Sequence, residues 1–199
     1  MSNKKRYPLS GFSPLKKDLL EQVWHWRNKE DVRRNMHNSS LITWDEHLQW
    51  FERLQQDNTR RFFIFYQNNR PIGVLNFHQR GPSQLEWGCY LGETKVWPGS
   101  GLLLEIAALD YASTVKHIDT LYAEVLSFNT GVLKMHKLFE YTPLPDIEAS
   151  SQEHTIKVFQ YVLADWRNTR SAILAKLPKQ IAGAAAFIEF NDVDNQNWE

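Results

Sequence analysis

The chain carries 199 residues, 42% of them hydrophobic, with 23 basic against 23 acidic side chains. That length accommodates one domain with a sizeable core, and the balanced charge excludes a global field that would draw it to nucleic acid or anionic lipid. A single cysteine excludes an internal disulfide, and no apolar run reaches the ~20 residues that cross a bilayer. A cytoplasmic protein without nucleic-acid or membrane partners is expected, since no signal-type apolar segment follows Met-Ser-Asn-Lys-Lys-Arg.

The segment from Arg6 to Phe12 reads as an edge strand. Ser13-Pro14 reads as the cap and first position of a helix whose apolar residues Leu19, Val23 and Trp26 recur at helical spacing. Thr43-Trp-Asp-Glu46 is a capping box that opens a helix ending near Gln56. Strands over Arg61 to Gln67 and Pro71 to Gln79 flank the turn signal Asn68-Asn69, and a third covers Gln84 to Leu91. The helix predicted over Leu102 to Lys116 is apolar on most sides and should be buried. Asp119 to Leu126 alternates, with Leu121, Ala123 and Val125 on one face and Tyr122, Glu124 and Leu126 on the other. Asn129 opens a helix to about Phe139, Thr155 to Ala164 is a last β-rich run, and Asp165 to Lys176 a final helix. Pro178 marks the boundary between a domain over 1–177 and a tail over 178–199 expected to be partly disordered. The order implies an α+β fold whose mixed, mostly antiparallel central sheet is flanked by helices, not a doubly wound parallel one.

Val96-Trp97-Pro98-Gly99-Ser100-Gly101 joins the Gln84–Leu91 strand to the long helix. Glycine allows close backbone approach, and the first-turn N–H groups of a helix have no intrahelical partner at its positive end. Gly99 to Leu103 is therefore a candidate cradle for phosphate or pyrophosphate. Leu104 stands where a dinucleotide fingerprint needs its third glycine, and no Gly-Lys-Ser/Thr triplet occurs, so neither common phosphate loop is present. Cys89, inside a strand, reads as a small buried apolar residue, not a nucleophile. The seven histidines show no metal-ligand spacing, and no metal is expected.

A strand feeding a Gly-x-Gly helix, then a strand ending Glu124-Val-Leu-x-x-Asn129 before a second helix, resembles the GNAT-type N-acetyltransferases. The family loop is Gln/Arg-x-x-Gly-x-Gly/Ala, from which Val96 departs at the first position. Trp26-Arg27-Asn28, Val32-Arg33, Met36 and Thr43-x-x-Glu46-His47-Leu48-x-Trp50-Phe51 narrow the likeness. They resemble the branch that acetylates a UDP-linked amino sugar, as in pseudaminic acid synthesis for flagellin glycosylation. The likeness runs from about Leu9 to Tyr141 and fades where the family's Gly-Phe is Glu140-Tyr141.

The resemblance implies a GNAT-like acyl-CoA N-acyltransferase fold and acetyl-CoA as the cosubstrate. It would be held by Tyr90, Leu91, Val96, Pro98, Gly99, Ser100, Gly101, Leu102 and Asn129. The implied acceptor is a nucleotide-linked 4-amino-4,6-dideoxy sugar, acetylated by direct transfer to its amine. Asn129 and His136 lie seven residues apart on one predicted helix, hence on one face, roughly 10 Å apart along its axis. His136 occupies the place where the family commonly has a tyrosine proton donor, and an imidazole can serve as general acid. Taken alone it reads as a surface residue between Lys134 and Lys137. Glu124, a carboxylate inside a strand, reads as a general base acting through water or as a charge-paired structural residue. Arg27, Met36, His37, His47, Asn76 and Trp87 are the substrate-side candidates, with Arg27 able to pair a nucleotide phosphate bidentately. Rival readings are acetylation of a protein N-terminal amine and a non-catalytic coenzyme A-binding module of the same fold, with a homodimer left open.

Overall fold

A computed structural model describes residues 7–148, 154–191 and 198. The strands are β1 Ser10–Pro14, β2 Arg60–Gln67, β3 Arg70–Gly81, β4 Gln84–Leu91, β5 Thr120–Leu126, β6 Thr142–Glu148, β7 Thr155–Val162 and β8 Ile188–Phe190. They form one sheet in the order β6-β7-β5-β4-β3-β2-β1-β8. Its pairings are antiparallel except β4 with β5 and β1 with β8. The helices are α1 Leu20–Asn28, α2 Glu30–Arg33, α3 Trp44–Gln56, α4 Ser100–Thr114, α5 Thr130–Leu138, α6 Leu163–Lys176 and α7 Lys179–Ala184. The α+β architecture with a mixed, mostly antiparallel sheet is as expected.

Two cores divide the sheet. On one face Leu20, Val23 and Trp26 of α1 meet Ile64 and Val74 beneath α3. On the other, α4 and α6 cover Phe63, Leu75, Phe77, Leu85 and Leu121. The expectation for α4 holds: Leu103, Leu104, Ile106 and Leu109 are each at most 1% exposed. Burying each such side chain contributes roughly 1.5–3 kcal/mol before entropy is charged against it.

Local signals act as their chemistry requires. Thr43 Oγ1 accepts from the Glu46 N–H while the Glu46 carboxylate accepts from the Thr43 N–H, completing the capping box. Asn68 and Asn69 both take positive φ, as a tight hairpin turn demands.

Two expectations are corrected and one strand is added. Ser13 and Pro14 do not open a helix: they extend β1 opposite Ile64 and Phe63, and proline is tolerated there because it ends the strand. The first helical turn waits until Lys17–Leu19. The segment after α5 is strand β6, whose Pro143 and Pro145 suit a sheet edge. Pro178 is no boundary, because Ile181 and Ala184 of α7 are buried in the α4–α6 core and β8 pairs with β1. The remainder of the expected tail, 192–197 and 199, lies outside the described residues.

Candidate active site

β4 and β5 run parallel but pair only from Gln84–Thr120 to Trp87–Ala123. Beyond that point β4 stays on β3 as far as Leu91, and β5 stays on β7 as far as Leu126. The two strands therefore part from Gly88 and Glu124 onward. Their facing N–H and C=O groups have no strand partner across the gap, which is a ready edge for an extended ligand. α4 begins beyond the end of β4 and α5 beyond the end of β5, so both helix starts lie on the open side.

At the α4 start Gly99 has φ +102°, and a Cβ on it would sit 2.0 Å from Ile181 Cδ1. Glycine is required there twice over, by conformation and by the close approach of α7. A Cβ on Gly101, by contrast, would meet nothing within 4 Å. Ser100 is buried, and its N–H and its hydroxyl both donate to the Trp97 carbonyl, so its donors are spent within the loop. No side chain caps α4 and no acidic residue occupies its first turn. Gly101 and Leu102 are left to offer N–H groups to an anion. Val96 and Trp97 pack on the core, and Trp97 N–H donates to Gln67 Oε1, which moors the loop to β2. Pro98 has no N–H and shapes the turn. Asn129 Oδ1 caps α5 by accepting from Val132 N–H, leaving its amide nitrogen as the group for a ligand.

On the α1–α3 face of the sheet, at the lip of the gap, charges converge. Glu124 is contacted by His37 Nε2 at 3.6 Å and by Arg80 Nη1 at 3.7 Å. Arg80 also reaches Glu86 at 3.5 Å and lies over the Tyr122 ring at 4.8 Å. Register explains the grouping, because Glu86 is paired with Tyr122 across β4–β5 and with His78 across β3–β4. Burial first, and Glu124 second, push the Glu86 carboxyl above the usual carboxylate range. Asn76, on the same face, donates its amide to the Gly88 carbonyl at 2.9 Å.

On the opposite face lies a second, dry group. His136 is 1% exposed and Glu105 0%, with His136 Nε2 3.6 Å from a Glu105 carboxylate oxygen. The imidazole stacks on Tyr141, meets Phe159 edge-on, and lies beside Trp87. The polar atoms of Glu105, His136, Tyr141 and the Trp87 indole are buried without a hydrogen bond of good geometry, although the Tyr141 hydroxyl faces both Glu105 and Trp87. Desolvation drives the pair apart, raising Glu105 to about 8 and lowering His136 to about 4. The surface reading of His136 is overturned, and burial favours its neutral form. Cys89 is beside this group, its thiol pushed up to about 12 by burial and by Glu105.

Several substrate-side expectations are corrected. Trp87 points to the α4 face, since strand alternation sets it with Leu85 and opposite to Glu86. His47 is buried, and its Nε2 pairs with the Leu20 carbonyl at 3.1 Å, fastening α3 to α1. Arg27 donates through Nη2 to the Asn38 carbonyl at 2.6 Å, and its Nη1 is buried, so part of its fork is committed within the protein. Tyr90 packs in the α1–α3 core, so only its backbone and that of Leu91 border the gap. Met36 is half-buried in the loop after α2, and the adjacent His37 is the residue that reaches Glu124. Arg80, Glu86, Tyr122 and Glu105 were not anticipated. Glu105 had a signal, as the lone charge in Leu-Leu-Leu-Glu-Ile-Ala-Ala-Leu.

Among the described residues no group of His, Cys, Asp or Glu side chains is arranged to hold a metal ion. No described helix is long and apolar enough to cross a membrane.

The chain is similar to known acetyltransferases. Acetyltransferase PseH of Campylobacter jejuni strain 81-176 is 29% identical over 134 residues, covering 67% of this chain and 83% of that protein. The crystal structure of C. jejuni N-acetyltransferase PseH superposes with a TM-score of 0.58 at 22% identity, covering 78% of this chain and 99% of that one. Vibrio cholerae spermidine N-acetyltransferase, solved with CoA and spermine, gives a TM-score of 0.71 at 15% identity, covering 80% of this chain and 99% of that one. A family profile described as acetyltransferase (GNAT) domain matches residues 11–139, which include the gap, the Gly99–Gly101 turn, Glu124 and His136. The chain belongs to the GNAT family and is an N-acetyltransferase.

Proposed function

We propose that this enzyme transfers acetyl from acetyl-CoA directly to the amine of a nucleotide-linked 4-amino-4,6-dideoxy sugar, in the cytoplasm, on the way to a nonulosonic acid such as pseudaminic acid. The likeness to PseH supports the sugar, and the CoA bound to the spermidine enzyme supports the donor. The observation that carries the reading is the Glu124–His37–Arg80 cluster at the point where β5 leaves β4.

Acetyl-CoA supplies an activated acetyl thioester. Gly101 and Leu102 N–H groups would hold its pyrophosphate, on a turn shaped by Val96, Pro98 and Gly99 and sealed by the buried Ser100. The backbone edge of Tyr90 and Leu91, and the Asn129 amide, would hold its extended arm. An amino sugar arrives mainly as its ammonium, which cannot attack a carbonyl. Glu124 takes that proton, through water, while Arg80 and His37 fix the carboxylate's position. His37 and the cationic Arg80 also face the acceptor's phosphates. His136 gives a proton to the departing thiolate. Arg27 and Met36 shape the acceptor wall from α1 and the following loop, and Asn76 holds Gly88 in place.

Thiol release from acetyl-CoA tests the reading against its rivals. Release should depend on the UDP-linked 4-amino sugar. Release with an N-terminal peptide amine alone would favour the protein substrate, and CoA binding without release would favour a sensor module.

A further inference from the structure

The dry group behind the strand gap has a use that its position and composition define. A carboxyl and an imidazole, 0% and 1% exposed, stand 3.6 Å apart, and the Tyr141 hydroxyl is the other polar group that faces the carboxyl. Each belongs to an element that flanks the gap, Glu105 to the second turn of α4 and His136 to α5. Burying two such groups costs stability, since each forfeits its hydration and gains little hydrogen bonding in return. A purely structural site would be more stable with apolar residues of equal volume, as the surrounding Leu and Ala residues of α4 illustrate.

We infer that Glu105 is a positioning residue for the transfer proposed above, forming with His136 a two-member proton relay that serves the departing thiolate. The inference rests on the reading of His136 as the donor. A neutral imidazole can release a proton only if its other nitrogen gains one at the same time. Glu105, held protonated by burial, is the group that can give it. As the amine nitrogen bonds to the acetyl carbon and the carbon–sulfur bond breaks, one His136 nitrogen passes its proton to sulfur. Nε2 takes the Glu105 proton, and Glu105 is left as a carboxylate. Glu105 regains its proton from water when the pair opens between turnovers, so atoms and charge balance.

The other groups facing the pair are consistent with this role. Cys89 of β4 and Tyr141 before β6 are both held neutral by burial, and Tyr161 of β7 lies beyond Tyr141. None supplies a competing charge at neutral pH. The opposite shifts of Glu105 and His136 place the shared proton on the carboxyl.

The test combines kinetics with a readout independent of turnover. In Glu105→Gln, kcat for the UDP-linked 4-amino sugar should fall by about 10²-fold with both KM values unchanged. The alkaline decline of kcat as Glu105 ionises should disappear. Wild-type kcat and pH profile in Glu105→Gln, with His136→Phe inactive, would overturn the relay and leave the donor reading intact. An active His136→Phe would overturn the donor reading and the relay with it. Independently, ¹⁵N NMR of His136 in the wild-type protein without substrate should show one neutral tautomer through pH 6–7 and an inflection near 8. An ordinary histidine titration near 6.5, with no alkaline inflection, would overturn the relay even if Glu105→Gln fails to fold.

Discussion

Two clusters of titratable groups sit back to back across β4 and β5, and they are built on opposite terms. Glu124 lies at the wet lip, its side chain 13% exposed, with His37 and Arg80 beside it. Glu105 is fully buried, with one histidine near it and no cation. A carboxylate that must accept protons repeatedly needs solvent contact and counter-charge. A carboxyl that must hold one proton needs neither, because removal from water keeps it neutral. In the proposed reaction, burial alone would make one side of the strand gap proton-accepting and the other proton-giving.

The largest expected effect breaks the wet side. Glu124→Gln should lower kcat/KM near pH 7 by ~10²–10⁴-fold, with partial recovery at higher pH as more amine arrives neutral. Acetyl-CoA affinity should barely change. An equal loss at every pH, together with a lower melting temperature, would recast Glu124 as a structural ion-pair member.

Next is the cradle, where the two glycines of one turn should separate. Gly99→Val forces positive φ on a β-branched residue and drives its Cβ into Ile181, so a loss of at least about 2 kcal/mol is expected in denaturant unfolding. Gly101→Val should leave stability within about 1 kcal/mol of wild type, the modest helix-propensity range, yet weaken acetyl-CoA binding in calorimetry. Unchanged affinity would move the cradle elsewhere.

The dry side has a stability signature. Glu105, raised to about 8, binds more protons folded than unfolded between its ordinary 4.5 and about 8, so it makes stability fall as pH rises through that range. His136, lowered to about 4, makes stability rise with pH only up to its ordinary 6.5. The two slopes oppose each other below 6.5, and from there to about 8 only the Glu105 loss remains. Its limit is about 1.4 kcal/mol per pH unit. Unfolding free energies of wild type and Glu105→Gln should converge as pH falls from 8 toward 6.5 and diverge as it rises, with the glutamine variant flat.

The smallest effect lies outside both clusters. Glu140 ends α5 at φ +68°, a place that favours glycine. Glu140→Gly should stabilise by up to about 1 kcal/mol, less whatever its exposed ion pair with Lys176 contributes. A lower melting temperature would show that the pair outweighs the backbone relief.

What was legible in the sequence is what local chemistry decides. The Thr43 capping box, the Asn68-Asn69 turn, the β5 alternation that sets Glu124 apart from Ala123, and the glycine turn ahead of α4 all depend on near neighbours. Long-range pairing was hidden. β8 exists because β1 offers it an edge, and β6 is a strand despite two prolines because it pairs β7 on one side only. The same limit applied to the site. Nothing in the order of residues says that His47 turns inward to Leu20, or that Trp87 and Glu86 part to opposite faces with Arg80 joining the latter. Glu105 was visible as an anomaly, but its partner was 31 positions away on another helix.

Amide hydrogen exchange tests the location and two-sidedness of the site most directly. Acetyl-CoA should protect the Gly101 and Leu102 amides and the β4 edge from Gly88 to Leu91, and adding the UDP-linked amino sugar should extend protection to the loop carrying His37. Protection confined to another recess, such as that lined by Leu9, Tyr66, Phe187 and Asn191 between β1 and β8, would contradict the account.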